Sequence, residues 1–180
     1  MKNPVGTGEQ PSPLRFSELD RIRLFGESEG HGATWHLPSF TDFDVELLSL
    51  AGVKHALLDL DGCLAPAYCH DELTQEVITA LRVLKASMET VSLATNNEVD
   101  LAFLGERFEL DHIFQPYQEG TMLPYKPGEE YYRHVLATLA VPPETIVMIG
   151  DNPHDDIWGA AQHGINTMLV DRIDPYGFFG

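Results

Sequence analysis

Basic residues are scarce in this sequence. Eleven Lys and Arg stand against 28 Asp and Glu, for a formal net charge of −17 over 180 residues. Such a surface repels nucleic acid and anionic lipid headgroups, so no nucleic acid is expected as a partner. It also repels a phosphorylated substrate at long range. Any phosphate site must therefore rest on local donors and a bound cation. Cysteine is scarce as well: Cys63 and Cys69 make no disulfide framework, and a cytoplasmic location is the expectation. No apolar run is long enough to form an integral membrane segment. The N-terminal MKNPVGTGEQPSP lacks the apolar core of a signal peptide. What remains is an ordinary globular composition, 43% hydrophobic and 22% charged, at a length that suits one domain with a sizeable core.

Residues 1–13, rich in Pro, Gly and polar side chains, read as a disordered tail. Residues 14–43 read as an irregular N-terminal arm. Phe16, Leu19 and Ile22 have helical spacing there, but Gly26, Gly30 and Gly32 break it. From residue 44 to 180 the pattern is regular. DVELLSLAG predicts a short helix with Asp44 near its start and Gly52 past its end. HALLDL (55–60), TVSLAT (90–95), HIF (112–114), ETIVMIG (144–150) and NTMLV (166–170) predict five strands. Helices are predicted between them. Thr74 would cap one whose apolar face is Val77, Leu81, Leu84 and Met88. Another covers 98–108. A third begins near Pro127 and carries Tyr132, Val135, Leu136 and Leu139, and a fourth spans 155–163, closed by Gly164. This alternation predicts a doubly wound, Rossmann-like α/β fold with a five-stranded parallel sheet.

In such sheets ligands sit outside the carboxyl ends of the strands. Asp59 and Asp61 end the first strand, Thr95 and Asn96 the second, and Asp151 the fourth. Asp59 is placed to be a nucleophile and Asp61 to move a proton beside it. Asp151 would complete an oxygen-rich pocket for a hard cation such as Mg²⁺. Thr95 and backbone N–H groups suit phosphate oxygens, and Lys126 suits the charge of a group in transfer. Each feature has a plain structural reading on its own: a turn, a helix start, a surface Lys-Pro. Their occurrence in order along one sheet edge favours the functional reading.

These segments resemble the four motifs of the haloacid dehalogenase (HAD) superfamily. They are LLDLDGCL (57–64), SLATNN (92–97), Lys126-Pro127 and IGDNPHDDIWGAAQHG (149–164). The resemblance covers about residues 44–174. It implies strand order 5-4-1-2-3, Asp59 as nucleophile and Asp61 as general acid/base. It implies a phosphate-binding set of Leu60, Thr95, Asn96 and Lys126. The Mg²⁺ ligands would be Asp59, Asp151 and the backbone carbonyl of Asp61. Asp156, by its spacing from Gly150, supports the metal, and the adjacent Asp155 competes for that role. Cys63 stands where the family often has Thr. Because Asp61 is present, a phosphatase is favoured over the dehalogenases, which lack this acid, and over the transport ATPases, which carry Thr. The spacings between motifs leave no room for a cap domain. The lead-in helix, short loops and tail are similar to the capless phosphatidylglycerophosphate phosphatase-like subgroup, although the acidity departs from what a phospholipid favours.

The expected activity is hydrolysis of a phosphomonoester, with a phosphorylated small molecule or headgroup as substrate. The alternatives are a phosphotransferase of the same superfamily and a non-catalytic binding module that keeps the fold. Cys63, Cys69 and His70 do not have zinc spacing, and His154 reads as a solvated loop residue. An open site leaves room for the arm, or for the second subunit of a homodimer, to lean over it.

Overall fold

The apolar runs become strands because each offers two faces that both find cover. In the computed structural model, which describes residues 33–70, 72–118, 121–122 and 124–173, strands β1 (Trp35–Leu37), β2 (His55–Leu58), β3 (Thr90–Ala94), β4 (Ile113–Phe114), β7 (Ile146–Gly150) and β8 (Asn166–Val170) form one sheet. All its pairings are parallel, in the order β1-β8-β7-β2-β3-β4. Every residue of β2 and β7 is buried, as a sheet covered on both faces requires. Successive side chains go to opposite faces. Ala56, Leu58, Val147 and Ile149 join one core, with Leu48, Val77, Leu81 and Leu84. Leu57, Ile146 and Met148 join the other, with Tyr131, Tyr132, Val135 and Ala160.

The helices that supply this cover are α1 (Val45–Leu50), α2 (Gln75–Ser87), α3 (Ala102–Phe108), α4 (Glu129–Leu139) and the short α5 (Gly159–Ala161). Asp44 caps α1, accepting from the N–H groups of Glu46 and Leu47, and the Thr74 hydroxyl caps α2, accepting from Val77. Losing such a cap costs about 1 kcal/mol. A two-stranded antiparallel hairpin, β5 (Tyr117–Gln118) with β6 (Thr121–Met122), stands apart from the sheet.

The five expected strands lie in the expected order, and β1 adds a sixth. It pairs with β8 in register Trp35 with Met168, inside the stretch read from sequence as an irregular arm. Three residues are too few to show a period, and the preceding glycines obscured the signal. The expected tail 1–13 and residues 14–32 of the arm lie outside the described residues.

The expected helix at 155–163 is also different. Pro153–Trp158 forms a π-turn before α5. The Tyr132 hydroxyl donates to the carbonyl of Asp155 at 2.7 Å. An acceptor diverted from the helical ladder widens the turn, a distortion often found at functional sites.

Candidate active site

Three strand ends and one loop build the floor of a cleft of about 590 Å³. Asp59 follows β2 directly, and its N–H still bonds the Ile149 carbonyl at 2.9 Å. The chain must then turn back sharply. The Leu60 carbonyl accepts from the N–H groups of Cys63, Leu64 and Ala65, and Gly62 has φ +91°. A Cβ on Gly62 would stand 2.6 Å from an Asp151 carboxylate oxygen. Glycine is therefore required there both for conformation and for space. Gly150 is similarly constrained, since a Cβ on it would stand 2.1 Å from the Asp156 carboxylate.

Lys126 lies at the centre of the floor, its side chain only 2% exposed. Its ammonium donates to Asp59 Oδ1 at 2.7 Å, to Asp156 Oδ1 at 2.6 Å and to the Ala94 carbonyl at 2.6 Å. All three of its protons are thus placed. Asn96 fixes the loop that carries it. The Asn96 Oδ1 accepts from the Lys126 N–H at 2.7 Å and its Nδ2 donates to the Lys126 carbonyl at 3.0 Å. Burial alone would lower the lysine pKa, but the pull of Asp156 and Asp59 leaves it well above the ordinary value.

One ammonium does not balance these acids. Burial raises the Asp59 pKa to about 7, against the pull of Lys126 and with a further push from Asp156. Asp151 is raised to about 6 by burial and by Asp59, with Arg172 opposing. The Arg172 Nε lies 3.4 Å from Asp151 Oδ2. Asp156 is raised by burial despite Lys126. Asp59, Asp151 and Asp156 each offer an oxygen within 4.8 Å of the others. A cluster of oxygen donors with excess negative charge fits a hard divalent cation, which would offset charge that burial, and secondarily mutual repulsion, makes costly.

Asp61 faces the same cleft from a different setting. Its Oδ1 accepts from the Tyr68 N–H at 2.9 Å and lies 3.2 Å from His70 Nδ1. Its Oδ2 accepts from Asn97 Nδ2 at 2.8 Å. Thr95 is buried, and its hydroxyl accepts from the Asn97 N–H at 3.1 Å.

The cleft thus gathers Asp59, Asp61, Thr95, Asn96, Lys126, Asp151, Asp155 and Asp156. Leu60 is 0% exposed, and its N–H serves the Asp59 carboxylate. Both polar ends of the Asn96 side chain are occupied in bracing Lys126. Asp155 and Asp156 differ in their settings. Asp156 is buried on Lys126, with its other oxygen accepting from the Asn152 N–H at 3.1 Å. Asp155 bonds Asn152 Nδ2 and His154 Nδ1 nearer the surface. Sequence reasoning missed His70, Asn97 and Arg172 as parts of the site. The TNN string could have flagged Asn97. No local pattern marks the other two.

Residues 125–172, which carry Lys126, Asp151 and Asp156, match the model of the HAD-hydrolase-like family. Among solved structures, the D,D-heptose 1,7-bisphosphate phosphatase from B. bronchiseptica, complexed with magnesium and phosphate, is similar at a TM-score of 0.53. It is 25% identical, over 67% of this chain and 82% of that one. This is a HAD-like fold. A haloacid dehalogenase-like hydrolase domain-containing protein of Arabidopsis thaliana is 35% identical over 72 residues, 40% of this chain and 29% of that protein. A phosphoserine phosphatase of Thermus thermophilus is 40% identical over 47 residues, 26% of this chain and 19% of that one. The chain thus covers less than a third of the length of either curated relative. Among the described residues, no helix of this chain is long and apolar enough to cross a membrane.

Proposed function

We propose that this chain is a magnesium-dependent phosphatase that hydrolyses a phosphomonoester through a phospho-aspartate on Asp59. The observation that carries this reading is the pairing of a buried strand-end carboxylate, Asp59, with Lys126 at 2.7 Å, two residues before an acid that faces the same cleft. Phosphatases among the similar proteins support the same reaction class.

In the first step an Asp59 oxygen attacks phosphorus and the bond to the ester oxygen breaks. Asp61 gives its proton to the departing alkoxide. In the second step water attacks the phosphorus of phospho-Asp59, Asp61 takes a proton from that water, and the acyl–phosphate bond breaks to return free Asp59 and inorganic phosphate. Lys126 holds Asp59 for in-line attack and offsets the charge on the phosphoryl group. Thr95 and backbone N–H groups orient its oxygens. Asp59, Asp151 and the Asp61 carbonyl would hold Mg²⁺, with Asp156 behind them. When bound, the ion supplies neutralising charge at the phosphate. Among the described residues, the segments between Asp61 and Thr95 and between Thr95 and Lys126 hold α2, β3, α3, β4 and the small hairpin. Their shortness supports the capless reading. The substrate is then a phosphorylated small molecule or headgroup entering an open cleft.

The test is a pair of variants assayed with Mg²⁺ and an activated aryl phosphate. Asp59→Asn should lose roughly 10³-fold or more in kcat, as covalent nucleophiles do. Asp61→Asn should lose roughly 10²–10⁴-fold in hydrolysis of the intermediate. Phospho-Asp59 should then accumulate and appear as a mass increase on that peptide. Phosphate trapped on another residue, or full activity in both variants, would overturn the reading.

A further inference from the structure

Asp61 is gripped by groups that the reaction as written leaves without a task. Its side chain is 26% exposed, yet both oxygens are occupied. One donor comes from the turn 62–70 and one from the loop after β3, and His70 of that turn stands beside them. The Tyr68 N–H reaches Oδ1 from a backbone at φ 67°, a left-handed conformation that a tyrosine adopts only at a cost. Asn97 Nδ2 reaches Oδ2. His70, its side chain 17% exposed, sets Nδ1 3.2 Å from Oδ1 and Nε2 3.0 Å from Asn97 Nδ2.

The proton inventory of these groups closes. Asn97 Oδ1 accepts from the Val99 N–H at 2.9 Å, which independently fixes which end of the amide faces Asp61. The Asn97 amide then has two protons and two acceptors: Asp61 Oδ2 and one imidazole nitrogen. Nε2 is the nearer nitrogen, at 3.0 Å against 3.3 Å for Nδ1. If Nε2 accepts, the neutral ring carries its proton on Nδ1, which is the atom facing Asp61 Oδ1. Asn97 Nδ2 thus bridges Asp61 Oδ2 and the His70 ring, and that ring stands against the carboxylate with Nδ1 3.2 Å from Oδ1.

We propose that His70 is a positioning residue for Asp61: its ring, braced by Asn97 and with Nδ1 3.2 Å from Oδ1, holds the carboxylate in the orientation from which it passes protons. This rests on the reading of Asp61 as the general acid/base. The effect of His70 falls on the step in which Asp61 must meet a water, because a carboxylate that swings by an ångström misses it. Such misplacement costs up to about 10²-fold.

The experiment uses the full chain, Mg²⁺ and an activated aryl phosphate. It follows kcat, KM and phospho-Asp59 in His70→Ala, His70→Asn and His70→Gln. Asn places its Nδ2 where histidine has Nδ1, whereas Gln reaches toward Nε2. His70→Ala should lower kcat roughly 10- to 10²-fold with KM unchanged, and phospho-Asp59 should build up. His70→Asn should recover most of the rate and His70→Gln little of it. In an Asp61→Asn background, His70→Ala should cost nothing further, since two residues acting as a unit are not additive. The proposal is overturned if His70→Ala keeps the wild-type rate, if Asn and Gln behave alike, or if the two losses add in full. An active Asp59→Asn would point instead to failure of the phosphatase reading itself.

Discussion

The floor of the cleft and its rim are built on opposite principles. On the floor, Asp59, Lys126 and Asp156 have side chains 10%, 2% and 1% exposed. They hang from a strand end, from a loop braced by Asn96 and from a π-turn anchored by Tyr132. Two carboxylates share one ammonium there, so the trio carries surplus negative charge in a place water hardly reaches. On the rim, Asp61 and Asp155 are 26% and 28% exposed and Arg172 is 42% exposed. Their bonds are to loops, amides and imidazoles. Water can replace much of what a rim residue loses, and nothing replaces a floor contact. The floor therefore holds its geometry at a cost in stability, as reactive sites commonly do. The rim can change its partners cheaply.

The sharpest way to break this contrast is to remove the cation at its centre. Lys126→Met would leave Asp59 and Asp156 facing one another in the interior without a counter-charge. Breaking a buried pair in this way costs about 3–5 kcal/mol. For a chain of this size that lowers Tm by about 10 °C or more. Activity should fall by roughly 10³-fold, because the group that orients Asp59 and offsets phosphoryl charge is gone. Calorimetry and aryl phosphate turnover report the two effects. A Tm within 2 °C of wild type would mean that the floor is far wetter than its geometry implies.

The same contrast explains what the sequence allowed to be read. Strand periodicity delivers Asp59, Thr95 and Asp151 to one sheet edge, because a fully buried strand must end where polar side chains begin. Those residues were legible for that reason. Lys126 was legible only in company, since a Lys-Pro pair has many plain uses. Asn96 was assigned to phosphate by its place after Thr95, yet its amide braces the Lys126 backbone, a contact across 30 residues that no local pattern encodes. His70 meets Asp61 only because the turn at Gly62 folds the chain back. Arg172 reaches Asp151 only because Ile173 donates to the Gly62 carbonyl and draws the chain after β8 across that turn. The strand β1 was missed because three residues show no period. Rim chemistry is made by loops meeting in space, and loops carry no such rule.

A smaller effect concerns protons and metal on the floor. The pKa of Asp59 is raised from an ordinary 3.8 to about 7, and that of Asp151 to about 6. Between the ordinary value and these, the folded state binds more protons than the unfolded one. Stability without metal must therefore fall as pH rises from about 4 to about 7. A divalent cation competes with those protons and stabilises the charged carboxylates that burial, and secondarily their mutual repulsion, disfavours. The rise in Tm on adding magnesium should accordingly be small at pH 5 and grow to several °C by pH 7.5. Thermal melts with and without 10 mM magnesium, an amount of about that order being ample for such sites, check the trend. A metal-free stability that climbs between pH 5 and 7 would contradict the sign of both shifts.

The smallest expected effect is also the one that most directly separates floor from rim, because it compares neighbours in sequence. Asp155 and Asp156 differ by one position and by almost everything else. Asp156 has one oxygen on Lys126 at 2.6 Å and the other on the Asn152 N–H, in the interior. Asp155 bonds the Asn152 amide at 3.1 Å and the His154 ring at 2.9 Å, where solvent is at hand. Asp156→Asn removes a buried counter-charge to Lys126 and presents an amide to a position that needs an acceptor on both sides. Its activity should fall by about 10²-fold or more. Asp155→Asn keeps an oxygen and an NH₂ at a surface where water completes either bonding pattern. Its stability should stay within about 0.5 kcal/mol of wild type, as for ordinary surface substitutions, and its kcat within about threefold. Should Asp155→Asn prove as damaging as Asp156→Asn, Asp155 would have to reach the metal or the substrate during turnover.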